Sequence, residues 1–437
     1  MKLAILQTLL LLTPFALAAP RPSLNDDSFS TLATNTSNGT KPHVVGEAWT
    51  VIVDDEDPRS LDQLMTEMAV KPGDITHVYD NDAFKGFSGV MTPEHIQKMS
   101  VMKGVKICEP VQQMSVLETV QTNAPWGLQR ISQESSIRNA PFDLASLAAF
   151  DFNYRFNGAL PTNTTGKQGL GQGVDIYVID TGVFTNHIDF DGRATHLETG
   201  IRGVGFDTLQ DTAGHGTHCA GTAASTTFGV AKNANIISVK VLGSDSGSTS
   251  NILQGIDAMV KNHKARSKKA GFAGSVASMS LGGGGQSNSL DNAIAGATRS
   301  GIHFVVAAGN DNKDACVAGS PATATKISSV ISVGAIDIND QRPIFSNFGG
   351  CTSLFAPGDQ ITSTWTGDNA NDNNKINTIR GTSMACPHVS GLVAYMLSMN
   401  PSLATNPIAM KQLIMDTAVP ISIDKGTVLL ANNGFKG

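Results

Sequence analysis

The sequence predicts an α/β protein: a doubly wound, mostly parallel β-sheet with helices on both faces, preceded by a small α+β domain. Two observations predict this organisation. Beyond residue 126, short apolar runs alternate with helical stretches, and such alternation is typical of a parallel sheet whose crossover connections are helices. Before it, residues 49–109 follow the order βαββαβ, which forms a self-contained sheet with two helices.

The small domain is predicted from short periodic segments with turn residues between them. Strands are expected at 49–53, 74–79, 84–90 and 105–109, with helices at 58–70 and 93–102. This order is the ferredoxin-like arrangement, and about 70 residues suffice for an independent unit. A polar, Gln- and Thr-rich connector is expected at 110–122.

The large domain is predicted from apolar runs that are too short for buried helices. Buried strands are expected at 174–179, 235–241, 275–280, 302–307 and 330–335. Helices are expected between and after them, at 215–224, 252–264, 290–299 and 383–399. Functional sites of such sheets form beyond the carboxyl ends of the strands.

The amino terminus reads as a secretory signal over residues 1–18. Lys2 precedes an apolar run at 3–12, and Ala-Leu-Ala at 16–18 forms a small-residue cleavage site. The run is shorter than the roughly 20 residues of a membrane-spanning helix. We therefore expect a secreted, extracellular protein with no membrane partner, although delivery to a fungal vacuole uses the same kind of signal.

Residues 19–45 are rich in Pro, Asn, Ser and Thr, a composition typical of disordered segments. Asn35, Asn38 and Asn163 stand in acceptor sequons and are candidate glycosylation sites. The net charge of -6 and the pI near 5.9 argue against nucleic acid as a partner. The basic run at 261–269 is interpreted as a solvated helix end.

Five cysteines leave at least one thiol unpaired. Cys316 and Cys351 lie in loop-like segments of a chain predicted to be secreted, so we expect a disulfide between them. Cys219 and Cys386 follow two of the motifs described next and are interpreted as small buried residues. Cys108 belongs to the small domain.

Four short motifs carry residues of hydrolytic chemistry. Asp180, His215, Asn310 and Ser383 each lie among small residues: Val-Ile-Asp-Thr-Gly at 178–182, Gly-His-Gly-Thr-His at 214–218, Ala-Ala-Gly-Asn at 307–310 and Gly-Thr-Ser-Met-Ala at 381–385. An aspartate, a histidine and a serine form a catalytic triad when the fold brings them together. Alone, the aspartate would be a helix cap, and the asparagine a turn residue.

A metal site is the competing interpretation of His215, His218 and Cys219. Residues three and four apart on one helix do not complete a tetrahedral site, so we expect no metal there. Ser383 begins a helix, where the positive end of the dipole and free backbone N–H groups stabilise a developing oxyanion. The Ser383 N–H and the Asn310 amide are the predicted oxyanion hole.

These residues resemble the subtilase family of serine peptidases, and more closely its fungal branch with proteinase K and cerevisin. Subtilisin has the same chain order Asp, His, Ser. Residues 121–128 look like the mature amino terminus of that branch, and 190–194 are similar to it as well. The resemblance implies a subtilisin-like fold and a triad of Asp180, His215 and Ser383. It also implies a substrate-binding surface that comprises Ser280, Leu281, Gly282, Gly283, Ala307, Ala308 and Gly309.

The same resemblance implies that residues 19–118 are a propeptide, with a compact part at about 47–110, and that 119–437 are the peptidase domain. The propeptide would assist folding and then inhibit its own peptidase. We expect self-cleavage near Glu118–Thr119, protein and peptide substrates, and a monomer.

The chain departs from the family pattern at three places, one of which is Cys386, at a position usually held by Ser or Thr. Residues 243–250, expected in one wall of the substrate cleft, contain no aromatic residue. Ser353 stands where proteinase K-like relatives place a calcium-binding aspartate, which argues against structural calcium at that position; the reaction itself requires no cofactor.

A catalytically silent binding protein and an α/β-hydrolase esterase are the alternatives. The filled triad argues against the first, and the absence of Gly-x-Ser-x-Gly around Ser383 against the second.

Overall fold

The computed structural model describes residues 48–54, 56–81, 83–111, 118–137, 152–157, 169–203, 205–244, 246–283, 285–369 and 371–435. The chain divides into two compact units, residues 1–115 and 116–437, and each is described by itself. The predicted signal segment, the stretch 19–45 and the sequons at Asn35, Asn38 and Asn163 lie outside the described residues. Within the described part, no helix combines the length and apolar character that a membrane crossing needs.

The first unit is a four-stranded antiparallel sheet with two helices. Its elements are β1 (Ala48–Val53), α1 (Leu61–Met68), β2 (Ile75–Asp80), β3 (Lys85–Val90), α2 (Pro93–Val101) and β4 (Val105–Pro110). The strands lie in the order β2-β3-β1-β4, and the observed sequence of elements is the predicted βαββαβ. Capping boxes at Ser60 and Thr92 start the two helices, so α1 begins three residues later than predicted.

The second unit opens with a two-stranded ribbon that the sequence analysis did not predict. β5 (Glu118–Ala124) pairs antiparallel with β6 (Phe152–Asn157), and the short helix α3 (Trp126–Arg130) follows β5. The connector predicted at 110–122 is therefore a strand from residue 118 onward. Its polar composition carried no strand signal, and the pairing depends on a partner about 35 residues away along the chain.

A nine-stranded sheet forms the centre of the second unit, in the order β16-β17-β13-β12-β11-β10-β7-β9-β8. All pairs are parallel except β16 with β17. The strands are β7 (Val174–Asp180), β8 (Ala194–His196), β9 (Asn235–Lys240), β10 (Gly274–Met279), β11 (Ile302–Ala307), β12 (Ile331–Ile336), β13 (Leu354–Pro357), β16 (Val419–Ile423) and β17 (Gly426–Leu430). A separate hairpin is formed by β14 (Ile361–Thr364) and β15 (Ile376–Ile379).

Helices cover both faces of this sheet, as predicted for a doubly wound fold. Alternate side chains of β7 point to opposite faces: Ile176 and Val178 join one hydrophobic cluster, and Tyr177 and Ile179 join another. The first cluster contains α4 (His215–Ala224), α8 (Thr382–Met399) and α9 (Pro407–Thr417); the second contains α5 (Thr249–Arg266) and α6 (Asn288–Arg299). The remaining short helix is α7 (Ala315–Ala318).

The carboxyl ends of three neighbouring strands bring the predicted site together. β7 ends on Asp180, β10 ends one residue before Ser280, and β11 ends three residues before Asn310. Because these strands are parallel neighbours, their ends meet at one edge of the sheet. The amino termini of α4 and α8 add His215 and Ser383.

A buried ion pair between Arg130 and Asp340 generates the first prediction. Arg130 Nε donates to Asp340 Oδ1 at 2.7 Å, and the two residues are 1% and 7% exposed. The substitution Asp340→Ala would leave a buried guanidinium unpaired, so we expect a loss of about 3–5 kcal/mol in the free energy of unfolding. Denaturant unfolding of the two proteins measures this loss.

The matched control is Lys261→Met, because the ion pair of Lys261 with Asp257 is equally short at 2.6 Å but exposed. An exposed pair contributes about 0.5 kcal/mol or less. If both variants lost the same free energy of unfolding, burial would not explain the contribution of the Arg130–Asp340 pair.

Candidate active site

Asp180 and His215 form a hydrogen-bonded pair at the edge of the sheet. His215 Nδ1 lies 2.7 Å from Asp180 Oδ1, and the Thr181 backbone N–H donates to the same oxygen at 2.8 Å. Asp180 is fully buried, whereas 32% of the His215 side chain is exposed. The carboxylate therefore holds the proton of the neutral imidazole on Nδ1 and leaves the lone pair on Nε2.

Glycine allows this close approach. A Cβ atom on Gly216 would lie 2.1 Å from the Gly182 carbonyl oxygen and 3.0 Å from Asp180 Cβ. Gly214, which precedes the helix, has φ +93°, and a Cβ there would meet the Trp365 ring at 2.3 Å. The small residues around His215 are therefore required where α4 begins against the turn after β7.

The electrostatic environment favours a charged imidazole. Burial lowers the pKa of His215, but the Asp180 carboxylate and the Cys219 thiol more than offset this effect. The pKa of His215 is consequently raised well above its usual value of 6.5. The buried carboxylate is the main stabilising charge for the imidazolium.

Ser383 is the second residue of α8 and lies half-buried in the same cleft as His215. Its hydroxyl donates to the Ser280 carbonyl oxygen at 3.2 Å. Pro387 is the sixth residue of α8 and lies inside the helix. Because proline has no N–H, the carbonyl of Ser383 has no helical hydrogen-bond donor four residues later.

Cys219 fills this position from the neighbouring helix α4. Its thiol donates to the Ser383 carbonyl oxygen at 3.3 Å and lies 4.0 Å from His215 Nδ1. Asp180, His215 and Cys219 offer ligand-type atoms within 4.8 Å of one another. Burial raises the pKa of the Cys219 thiol, however, and Nδ1 is engaged with Asp180, so these groups fit a proton-holding pair better than a metal site.

Asn310 follows β11 and is oriented by the residue before Ser383. Its Oδ1 accepts hydrogen bonds from the backbone N–H of Thr382 at 2.8 Å and from the Thr382 hydroxyl at 3.0 Å. Since both partners are donors, the carbonyl oxygen faces Thr382 and the Nδ2 amide group faces the cleft. Asn310 and Ser383 line the same cavity.

Two adjoining cavities contain the predicted substrate-binding residues. The larger, of about 600 Å³, is lined by His215, Asn310, Ser383 and the predicted segment Ser280, Leu281, Gly282 and Gly283. The smaller, of about 190 Å³, contains Ser383 and the remaining three predicted residues, Ala307, Ala308 and Gly309. Residues Ser244, Ser246, Gly247 and Thr249 provide the expected non-aromatic wall of the larger cavity.

Several residues that line the two cavities stand outside the sequence motifs and were not predicted. Leu242, Ile252 and Leu290 give the larger cavity apolar surface, and Asp311 and Pro321 line the smaller one. Each has an ordinary structural interpretation in the sequence, as a core or turn residue. The packing of α5 and α6 against the sheet brings Ile252 and Leu290 to the cleft, and Leu242 reaches it from the segment after β9.

The predicted disulfide, the free cysteines and the doubtful calcium position at Ser353 lie outside the lining of the two cavities. Cys316 and Cys351 form the expected disulfide, and Cys219 and Cys386 are free and buried. Burial raises the pKa of Cys386 to about 12, so this thiol stays protonated. Ser353 fits a calcium ion poorly, because it offers no carboxylate and its hydroxyl accepts the Ser332 N–H at 3.2 Å.

Comparisons with known proteins show the family of this chain. The model of the subtilase family matches residues 171–435. The subtilisin-like serine protease Pen c 2 of Penicillium citrinum is 46% identical over 291 residues, which cover 65% of this chain and 57% of that protein. Alkaline protease 2 of Aspergillus fumigatus is 40% identical over 358 residues, which cover 80% of this chain and 65% of that protein.

A solved structure is similar as well. The crystal structure of a cold adapted subtilisin-like serine proteinase superposes with a TM-score of 0.56 at 39% identity, covering 71% of this chain and 99% of that one. The chain spans less than two thirds of the length of the two curated relatives named here.

The contact between Cys219 and Ser383 generates the second prediction. The substitution Cys219→Ala would remove the donor to a carbonyl that Pro387 leaves without a helical partner. We expect a loss of about 1 kcal/mol in stability and a severalfold loss of any activity that depends on the position of Ser383. Thermal unfolding and kcat/KM for a chromogenic peptide measure the two effects.

Cys219→Ser is the informative companion, since a hydroxyl keeps the donor. Cys386→Ala is the control for a lost buried thiol, because Cys386 donates to Val305 rather than to Ser383. If Cys219→Ala and Cys386→Ala had the same effect on kcat/KM, the thiol would have no particular role in holding Ser383.

Proposed function

Because the chain belongs to the subtilase family and shares the fold of a solved subtilisin-like serine proteinase, we propose that it is a serine endopeptidase that hydrolyses proteins through an acyl-enzyme on Ser383. The Asp180–His215 hydrogen bond, facing the same cleft as Ser383 and Asn310, carries this proposal. One of the similar proteins is named a subtilisin-like serine protease and another an alkaline protease.

In the first step, Ser383 Oγ attacks the carbonyl carbon of the substrate peptide bond. Its hydroxyl, now bonded to the Ser280 carbonyl, turns toward Nε2 of His215, which accepts the proton. His215 then donates that proton to the leaving amine, and the C–N bond breaks. Water hydrolyses the acyl-enzyme by the same route in reverse, with Asp180 stabilising the imidazolium each time.

The negative charge on the substrate oxygen requires donors that are already oriented. Asn310 Nδ2 and the backbone N–H of Ser383 supply them, because Thr382 holds the amide and Ser383 lies in the first turn of α8. These donors need no reorganisation during the reaction.

Substrate recognition is proposed to occur along the edges of the cleft. The backbones of residues 280–283 and 307–309 would pair with an extended peptide as an added strand. Apolar side chains in the larger cavity and small residues in the smaller one favour broad specificity, since few charged groups select among substrates. The reaction needs no cofactor.

The finer biological proposals rest on the sequence. Residues 1–18 direct secretion, and residues 19–118 serve as an intramolecular inhibitor that is released by self-cleavage near Glu118–Thr119. This bond lies in β5, which pairs with β6. Cleavage there would make the amino terminus of the mature enzyme part of the ribbon.

The third prediction tests the nucleophile. The substitution Ser383→Ala should abolish casein hydrolysis; in subtilisin, loss of the nucleophile lowers kcat by about 2 × 10⁶-fold, and we expect a loss of the same order. A serine-directed phosphonate should block the wild type and label it covalently, and it should leave Ser383→Ala unlabelled. Mass spectrometry of the two treated proteins measures the labelling, and casein hydrolysis measures the inhibition.

Ser398→Ala is the matched control, because Ser398 lies on the same helix and its hydroxyl donates to Tyr395. It should remain active and labelled. The Ser383→Ala protein, purified alone, should also keep its full precursor length. Trimming of that protein to the mature size would show that self-processing is wrong.

The fourth prediction concerns pH. His215 accepts a proton only when it is neutral, so activity requires a pH above its pKa, which is raised above 6.5. We therefore expect the acidic limb of the kcat/KM profile to have its midpoint above pH 6.5, with an alkaline optimum. Asp180→Asn should move this midpoint downward and greatly reduce kcat; a midpoint at or below 6.5 in the wild type would contradict the assignment.

A further inference from the structure

Asp211 is a buried carboxylate that the proposed reaction does not use. It lies four residues before His215 and is 2% exposed. Oδ1 accepts hydrogen bonds from the Thr181 hydroxyl and from the N–H groups of Ala213 and Gly214, at 2.9, 3.0 and 2.9 Å. Oδ2 accepts the N–H and the hydroxyl of Thr217 at 2.9 and 2.6 Å. Five donors, one from the turn after β7 and four from residues 213–217, thus bind this one carboxylate.

These contacts join the two elements that carry the Asp180–His215 pair. Thr181 directly follows Asp180, and its hydroxyl accepts the N–H of Gly216 at 3.0 Å while donating to Asp211. Thr217 belongs to the first turn of α4. Asp211 therefore links the turn after β7 with the helix that presents His215.

Lys240 holds the same turn from the opposite side. It ends β9, pairs in register with Asp180 and is 2% exposed. Its Nζ donates to the Thr181 carbonyl oxygen at 2.5 Å. Burial lowers the pKa of Lys240, and the charges of Asp211 and Asp180 oppose that effect. Within the described residues, no carboxylate oxygen lies within 4.0 Å of this ammonium.

We propose that Asp211 and Lys240 are paired positioning residues: Asp211 fastens the His215 helix to the Asp180 turn, and Lys240 fixes that turn from β9. Their opposite charges flank the pair in a region shielded from water. The proposal rests on the role of His215 as the base.

The two charges act on His215 with opposite sign. A nearby anion stabilises the imidazolium, whereas a nearby cation destabilises it. Asp180 from β7 and Cys219 from α4 act on His215 directly, and His218 interacts with it from the same helix. Ser383 from α8 lines the same cleft. Asp211 and Lys240 lie one residue further out, because both contact Thr181, which follows Asp180. The charges of Asp211 and Lys240 can be removed by near-isosteric substitutions that leave the proposed triad unchanged.

The experiment compares the pH dependence of kcat/KM for a chromogenic peptide among full-chain variants. Asp211→Asn should move the acidic limb to lower pH, and Lys240→Met should move it to higher pH, each by about half to one unit. Asp211→Asn should also lower kcat about 10–100-fold, because an amide group repels one of the backbone donors. The double variant should return the limb toward the wild-type position while kcat stays low.

Lys232→Met is the matched control. Lys232 is also fully buried, and its ammonium donates to the Thr226 and Thr227 carbonyl oxygens instead of the Asp180 turn. Loss of this lysine should reduce stability without moving the acidic limb.

The proposal would be overturned if the acidic limb moved in the same direction in Asp211→Asn and Lys240→Met, or if it moved in neither variant. If Asp211→Asn does not fold, Thr181→Val replaces it: the lost hydroxyl should lower kcat while leaving the limb in place, and unchanged kcat would count against the positioning role. A wild-type chain that hydrolyses no peptide, or a His215→Ala variant that still does, would instead contradict the proposed function.

Discussion

The hydrogen bond between His215 Nδ1 and Asp180 Oδ1 is the constraint on which the rest of the site depends. It requires a carboxylate at the end of a strand that is buried along its whole length, because water would otherwise weaken the charge interaction. The doubly wound sheet provides that position at the end of β7, with helices covering both faces. Glycine at 214 and 216 then allows α4 to begin within hydrogen-bond distance.

A second constraint comes from α8, which has to present Ser383 from its first turn and also pass through the core. Pro387 interrupts the hydrogen bonding of this helix at the carbonyl of Ser383, and the thiol of Cys219 compensates for it. The same thiol lies beneath His215. This small buried side chain thus contacts both His215 and Ser383, at the start of the two helices that carry them.

The sequence predicted the parts of the site that lie in contiguous motifs. Asp180, His215, Asn310 and Ser383 could be identified because their small neighbours reflect a local requirement for close packing. The strand β5 and the lining residue Leu290 could not, since both acquire their roles through partners distant in the chain. The start of α8 was predicted to within one residue, but the contact of the Cys219 thiol with the Ser383 carbonyl joins residues 164 positions apart and leaves no local signal.

The two buried carboxylates beside His215 differ in a way that suits different tasks. Both oxygens of Asp211 accept hydrogen bonds, so its carboxylate is held in one orientation. Asp180 Oδ2 has no hydrogen-bond partner among the described residues. A buried, unpaired acceptor destabilises the free protein by about 1–3 kcal/mol. A positive charge on His215 relieves part of that cost, so the folded protein favours the imidazolium that the proposed reaction requires.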